Sequence, residues 1–135
     1  GKVSKPGSVK LKEHRAIQEC ATVWHTYSHI SGELKLPALD AVISMLPGGS
    51  ITGCPKKRAT EIIDEIEPCN RGVYTGVLGY IHPNGELDFS IVIRTIVKIG
   101  DTVYLQVGGG IVDDSKMEEE YEETFNKAKS LIHTI

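Results

Sequence analysis

A glycine-rich segment that leads into an amphipathic helix pattern constrains this chain more than any other feature. Residues 47–53 read Pro-Gly-Gly-Ser-Ile-Thr-Gly, and Pro55 follows shortly after them. Proline suits the first position of a helix because its missing N–H would be unpaired there in any case. Four apolar residues then follow the spacing of one helix face: Ala59, Ile62, Ile63 and Ile66. The segment therefore predicts a turn and then a helix over residues 55–67.

The start of this predicted helix is basic, because Lys56, Lys57 and Arg58 form its first turn. Free backbone N–H groups and the positive end of the helix dipole attract anions at such a position. The segment contains neither GxxxxGK[ST] nor GxGxxG, which excludes the commonest nucleotide-binding patterns. Two interpretations stay open: an ordinary loop before a helix that begins with proline, or a site for a phosphate or carboxylate group.

Composition limits the classes of function that the chain can serve. Its 135 residues fit one domain or part of one, and 40% apolar and 24% charged residues are globular values. A net charge of −3 does not favour nucleic acid as a partner. The apolar runs are too short to span a membrane. The three cysteines are far apart, which fits a reducing cytoplasm better than a disulfide framework. We expect a cytoplasmic protein that binds neither nucleic acid nor membrane.

The remaining segments predict an α+β fold in which helices pack on an antiparallel sheet. We expect strands over residues 17–34, 72–82, 87–98 and 102–112, and helices over 39–46, 55–67 and 116–134. Turn signals at Pro83-Asn84-Gly85 and Gly100-Asp101 separate the last three strands. Such short connections predict an antiparallel meander.

The last predicted helix carries carboxylates at the margin of its apolar stripe. At about 100° per residue, Glu120, Glu123 and Lys127 fall within an arc of roughly 60° beside that stripe. Two carboxylates three residues apart can hold a hard divalent cation through oxygen, and the lysine can pair with them or with an anionic ligand. A solvated helix face is the alternative that spacing leaves open.

Four other residues allow both a functional and a structural interpretation. Arg94 lies in a largely apolar strand pattern, so it either reaches an edge or faces a carboxylate ligand. His25 suits a hydrogen-bonded core as well as a catalytic site, whereas Tyr74 by itself indicates only a core position. Gly108 and Gly110 can serve a bulge or close packing, or can expose backbone N–H groups to a ligand.

Taken together, these motifs resemble those of the chorismate-utilising enzymes, in order and over essentially all 135 residues. The matching segments are His25-Thr-Tyr-Ser-His-Ile-Ser-Gly-Glu-Leu34, Pro47-Gly-Gly-Ser-Ile-Thr-Gly-Cys-Pro-Lys56, Arg71-Gly-Val-Tyr-Thr-Gly-Val-Leu-Gly-Tyr80, Ile91-Val-Ile-Arg-Thr95, Gly108-Gly-Gly-Ile-Val112 and Glu120-Tyr-Glu-Glu-Thr124 with Lys127. Within the family, the second and fifth segments are most similar to aminodeoxychorismate synthase component I. Cys54 departs from the usual alanine, and Lys116-Met117 replace a common Asp-Pro.

The resemblance implies that chorismate and ammonia give 4-amino-4-deoxychorismate, the precursor of p-aminobenzoate and folate. It implies Mg²⁺ as the cofactor and a glutamine amidotransferase subunit as the source of ammonia. It also implies that residues 1–135 are the C-terminal part of a chorismate-binding catalytic domain. The nucleophilic lysine and a further magnesium glutamate would then lie upstream, so we expect the 135 residues alone to be inactive.

The resemblance also implies a role for each candidate residue. Glu123 would bind magnesium directly and Glu120 nearby or through water, with Lys127 beside them. His25 would donate a proton to the departing ring hydroxyl. The remaining positions would bind substrate, namely Tyr74, Arg94 and Gly110 at the enolpyruvyl carboxylate and Ser50 and Gly108 at the ring.

Two alternatives to this function stay open. One is anthranilate synthase component I, and the other is a non-catalytic anion-binding or assembly module. Exposed sheet edges would also make a homodimer of the 135 residues plausible.

Overall fold

The computed structural model describes residues 1–19 and 24–132, with four helices and six strands in those ranges. The elements are β1 (Lys10–Glu19), β2 (Trp24–Ser31), α1 (Ala38–Met45), α2 (Gly49–Thr52), α3 (Lys56–Ile66), β3 (Val77–Ile81), β4 (Leu87–Ile91), β5 (Ile96–Ile99), β6 (Thr102–Leu105) and α4 (Met117–Ile132). No helix in these ranges has both the length and the apolar character needed to cross a membrane. Residues 20–23, which include Cys20 and an early part of the strand predicted over 17–34, and residues 133–135, at the end of the last predicted helix, lie outside the described residues.

The chain divides into two compact units, and the first comprises Gly1–Leu46. In this unit β1 and β2 form an antiparallel hairpin, with register shifts on either side of Glu13 and a positive φ of 49° at Arg15. The helix predicted over 39–46 is present as α1, where Ala41 is buried. The strand predicted over 17–34 corresponds to the end of β1 and to β2. Most of β1 was not predicted, because its side chains are largely polar and exposed and leave no alternation to detect.

The second unit, Pro47–Ile135, contains the other three helices and two antiparallel hairpins. The predicted helices at 55–67 and 116–134 are present as α3 and α4. The prediction that Pro55 is the first helical residue is wrong by one position, because Pro55 is the N-cap and has an extended ψ of 134°. The glycine-rich segment is not only a turn, since Gly49–Thr52 forms the short helix α2.

The predicted three-stranded meander is wrong, because its middle strand is interrupted. β4 ends at Ile91 and β5 begins at Ile96, so β3–β4 and β5–β6 are separate two-stranded sheets. Arg94 lies in the interruption with a φ of 50°. A side-chain-bearing residue in the left-handed region cannot continue an extended strand. The fold class itself is confirmed as α+β with antiparallel sheets.

Few apolar side chains are buried in the described ranges. Val3, Ala41 and Val92 are the buried apolar residues there, whereas Met117 and Ile111 are 79% and 74% exposed. Tyr121 and Phe125 of α4 stack edge to face, with ring centroids 4.9 Å apart, yet both stay more than half exposed. The apolar stripe of α4 is therefore present but is largely uncovered by the described residues of the second unit.

Candidate functional site

A cleft of about 590 Å³ lies in the second unit, between α2, the turn before β3, the segment after β6 and α4. Its volume is in the range of small-molecule sites. Five of the site residues expected from the sequence line it, namely Ser50, Tyr74, Gly108, Gly110 and Lys127. The described lining also includes residues that sequence reasoning did not select, namely Ile51, Glu67, Pro68, Cys69, Arg71, Thr75, Ile93, Leu105, Gln106, Val107 and Gly109.

The glycines after β6 let polar groups approach the backbone closely. A Cβ placed on Gly108 would lie 3.1 Å from the Tyr74 Oη, and one on Gly109 would lie 3.0 Å from the Glu120 Oε2. Side chains at both positions would therefore crowd the tyrosine hydroxyl or the carboxylate. This geometry supports close packing as one reason for the glycines. It also leaves backbone at Gly110 on the wall of the cleft.

Glu120, Glu123 and Lys127 of α4 meet around Gly109. A Cβ on this glycine would lie 4.0 Å from both the Glu123 Oε1 and the Lys127 Nζ, beside its contact with Glu120. Lys127 forms an ion pair with Glu123 and donates a 3.2 Å hydrogen bond to the Gly108 carbonyl oxygen. The Ser115 hydroxyl donates to the Glu120 Oε1 at 2.5 Å. The three charged groups thus lie together around Gly109, as their shared edge of the helix predicts. Gly109 and Lys127 line the cleft, whereas the two carboxylates lie beside it and are not among its described lining residues.

The carboxylate oxygens near Gly109 are of the type that Mg²⁺ binds, but there are too few of them to fill its coordination shell. Mg²⁺ is commonly held by one or two carboxylates together with water and substrate oxygens. Glu120 and Glu123 can supply two such carboxylates from one helix face. In residues 1–19 and 24–132 there is no cluster of three or more His, Cys, Asp or Glu side chains suited to a metal. The residues therefore fit magnesium as part of a site that needs further oxygen ligands.

Arg71 is the functional candidate that sequence reasoning missed. Its guanidinium forms a bidentate ion pair with Glu67, with Nε to Oε2 at 2.8 Å and Nη2 to Oε1 at 2.5 Å. Its Nη1 donates to the Ile51 carbonyl oxygen at 3.1 Å and to the Thr75 Oγ1 at 3.3 Å. The four-residue spacing of Glu67 and Arg71 was visible in the sequence. The bond to Ile51 spans 20 residues and depends on the fold.

The ion pair gives Glu67 a pKa below its ordinary value of 4.5, mainly through the hydrogen bonds from Arg71. A carboxyl with a lowered pKa in the folded state contributes stability above its unfolded pKa, and this stability is lost as the pH falls through the folded pKa. We therefore expect Glu67→Gln to lower the free energy of unfolding by about 1 kcal/mol at pH 7. The difference from the wild type should shrink as the pH falls below the ordinary glutamate pKa and through the lowered pKa of Glu67 in the folded protein. Urea unfolding at pH 7 and pH 3 measures both values, and an equal difference at the two pH values would contradict the prediction.

The other four candidates are not in the described lining of the cleft: Glu120 and Glu123 lie beside it at Gly109, and Arg94 and His25 lie elsewhere. Arg94 is half-buried in the connection between β4 and β5, and His25 is half-buried on β2 of the first unit, opposite Gln18. In the basic first turn of α3, Arg58 pairs with Glu61 and Glu65 rather than lining the cleft. The catalytic, binding and metal roles of all nine candidates stay predictions.

Comparison with known proteins identifies the family. The family model for chorismate binding enzymes matches residues 1–133. The chain belongs to this family. It is 48% identical over 133 residues to anthranilate synthase component 1 of Cereibacter sphaeroides, which covers 97% of this chain and 27% of that protein. It is 46% identical over 130 residues to aminodeoxychorismate synthase component 1 of Bacillus subtilis, which covers 95% of this chain and 28% of that protein.

A solved structure supports the fold. The crystal structure of anthranilate synthase component I from Streptococcus pneumoniae matches with a TM-score of 0.90 and 41% sequence identity. The match covers 97% of this chain and 31% of that one. The chain therefore spans less than a third of the length of these relatives, and the resemblance noted in the sequence is confirmed at the level of the family.

Proposed function

We propose that the full-length protein converts chorismate and ammonia to 4-amino-4-deoxychorismate. The observation that carries this proposal is the meeting of Glu120, Glu123 and Lys127 around Gly109, at a cleft in a chorismate-binding chain. Chorismate is a dianion, and a cleft with a lysine and glycine backbone, next to a pair of carboxylates that could hold a cation, can hold both of its negative groups. The segments 47–53 and 108–112 support the 4-amino product.

Magnesium is the proposed cofactor, with Glu123 as a direct ligand and Glu120 beside it or joined to it through water. When bound, the ion would neutralise a substrate carboxylate and stabilise charge that develops during the reaction. Lys127 would place its positive charge beside these two carboxylates, where it could also pair with the anionic substrate. In this proposal the backbone at Gly108 and Gly110 and the hydroxyl groups of Ser50 and Tyr74 orient the substrate.

The proposal assigns the remaining steps to residues elsewhere. His25 is the proposed proton donor to the leaving hydroxyl, and Arg94 is the proposed partner of the enolpyruvyl carboxylate. Ammonia would come from a glutamine amidotransferase subunit, and a nucleophilic lysine and a further metal ligand would come from outside residues 1–135. We expect these 135 residues to be inactive alone.

Anthranilate synthesis is the second candidate function. It is favoured by the relative with 48% identity and by the solved structure, which both carry that name. The chain is 48% identical to an anthranilate synthase and 46% identical to an aminodeoxychorismate synthase, and this difference is too small to distinguish the two functions.

Product analysis tests both functions directly. The full-length protein and residues 1–135 would each be incubated with chorismate, Mg²⁺ and ammonium, and the products would be resolved by chromatography. We expect turnover only by the full-length protein, with 4-amino-4-deoxychorismate as the product. Anthranilate would establish the second function. Turnover by residues 1–135 alone would require the roles to be reassigned, and no consumption of chorismate by either would favour the non-catalytic anion-binding module.

A further inference from the structure

The Arg71 guanidinium joins three separate segments of the second unit. Glu67 follows the last residue of α3, Ile51 belongs to α2, and Thr75 lies in the turn before β3. All three accept hydrogen bonds from Arg71 at 3.3 Å or less. One side chain therefore connects the glycine-rich segment, the end of a helix and the turn that carries Tyr74.

These bonds use most of the donors that an arginine has. A guanidinium has five N–H groups in a fixed plane. The Nε–H donates to both Glu67 carboxylate oxygens. Nη1 donates to the Ile51 carbonyl oxygen and the Thr75 hydroxyl, and Nη2 donates to a Glu67 oxygen. The Arg71 side chain is only 23% exposed. Arg71 lines the cleft, but its hydrogen bonds are made to other parts of the protein and indicate a structural role.

The segments that Arg71 connects form two walls of the cleft. Ser50 and Ile51 of α2 line the cleft, as do Tyr74 and Thr75 of the turn before β3. We call these two segments the Ser50 wall and the Tyr74 wall. The Tyr74 N–H donates to the Arg71 carbonyl oxygen at 3.0 Å, and the Thr75 hydroxyl donates to the Tyr74 carbonyl oxygen at 2.5 Å. The Arg71 side chain and backbone thus both determine where Tyr74 sits.

The turn at Thr75 needs such support because its backbone is strained. Thr75 has a φ of 66°, in the left-handed region that β-branched residues rarely adopt. A conformation of this kind costs about 1–3 kcal/mol and persists only where its surroundings impose it. Two contacts hold it here: the bond from Arg71 to its hydroxyl, and the bond from its N–H to the Val92 carbonyl oxygen at 2.8 Å.

We propose that Arg71 is a positioning residue that fixes the Ser50 wall relative to the Tyr74 wall, and so sets the geometry in which chorismate binds. The chorismate part of this inference rests on the proposed function. Arg71 itself acts through Ile51, Glu67 and Thr75, and it neither transfers a proton nor takes part in the reaction.

The experiment compares Arg71→Ala, Arg71→Lys and Arg58→Ala in the full-length protein. Arg58 is the matched control, because it pairs with two glutamates along α3 but is exposed and outside the described lining of the cleft. Steady-state kinetics with chorismate give kcat and KM. Amide hydrogen exchange, followed in peptides that cover residues 48–53 and 71–76, reports the two walls without any need for turnover.

We expect Arg71→Ala to lower kcat/KM about 100-fold, since a displacement of about 1 Å at a site can cost this much. Arg71→Lys keeps the charge opposite Glu67 but cannot reach all three acceptors, so it should recover part of the loss. Exchange should rise in both wall peptides and remain at the wild-type level in α4. Arg58→Ala should match the wild type in every measurement.

Three results would overturn the proposal: wild-type kcat/KM in Arg71→Ala, unchanged exchange in the wall peptides, or increased exchange throughout the protein. If Arg71→Ala does not fold, the kcat/KM and the wall-peptide exchange of Arg71→Lys test the proposal by the same criteria. A wild-type protein that does not consume chorismate would refute the proposed function. The exchange of the wall peptides would then still test whether Arg71 holds the two walls.

Discussion

Glu123→Gln in the full-length protein is expected to lower kcat/KM for chorismate by about 100-fold or more, which corresponds to about 2.7 kcal/mol. Glutamine keeps the shape of the side chain but removes the negative charge that a magnesium ion requires. It also removes the ionic partner of Lys127 at the Gly108 carbonyl. Kinetics at several Mg²⁺ concentrations measure the loss, and calorimetric titration measures Mg²⁺ affinity independently of turnover.

Glu122→Gln is the matched control for this substitution. Glu122 is the preceding residue of α4 and is exposed like Glu123. Glu123 pairs with Lys127 and is among the nearest neighbours of a Cβ on Gly109, whereas Glu122 is not among those neighbours. Its replacement changes the net charge by the same amount and should leave Mg²⁺ affinity and turnover near the wild-type values. Wild-type Mg²⁺ affinity in Glu123→Gln would refute the metal assignment. The non-catalytic alternative predicts unchanged turnover in both Glu123→Gln and Arg94→Ala.

Gly79→Ala is expected to destabilise the protein by about 3 kcal/mol, the upper part of the range for overpacking. Gly79 is the central residue of β3 and pairs with Phe89 of β4. A Cβ at this position would lie 1.9 Å from the Asp88 carbonyl oxygen and 2.7 Å from the Phe89 Cα. Since both contacts are with backbone atoms, the hairpin would have to separate to accommodate one methyl group. Urea unfolding of the full-length protein measures the change.

The control for this prediction is Gly49→Ala. Gly49 is a residue of α2 with a negative φ, and nothing lies within 4 Å of a Cβ added there. Alanine is favoured over glycine in helices, so this variant should be as stable as the wild type or slightly more stable. A loss in Gly79→Ala no larger than in Gly49→Ala would mean that β3 and β4 are not as close as the structure has them.

The sequence predicted the helices better than the strands, for a physical reason. The apolar residues of α1, α3 and α4 recur with the helical period, so their bounds followed to within one residue, apart from the end of α4, where the prediction extends beyond the described residues. The bounds of the strands depend on where the backbone dihedral angles leave the extended region, which happens at Thr75 before β3 and at Arg94 between β4 and β5. Neither residue type signals a positive φ, because the conformation is imposed by tertiary contacts such as the Thr75 N–H to Val92 bond.

The candidate site was predictable where its members lie on one element. Glu120, Glu123 and Lys127 share an edge of α4, so helical geometry alone brought them together. The Gly-rich segment after β6 was recognised by its composition, but its approach to Tyr74 and Glu120 required the fold. Arg71 was missed because a four-residue spacing to Glu67 does not by itself mark a site, and the bond to Ile51, 20 residues away, depends on the fold.

The uncovered apolar stripe of α4 has a consequence for how the cleft keeps its shape. Met117, Tyr121 and Phe125 are each at least half exposed, so each still has much of its hydrophobic free energy to gain from a covering surface. The orientation of Glu123 and Lys127 depends on the position of α4, and therefore on the surface that packs against its apolar stripe. Under the proposed function, a substitution on any surface that packs against the stripe would therefore shift the affinities for Mg²⁺ and chorismate together, from a position that contacts neither.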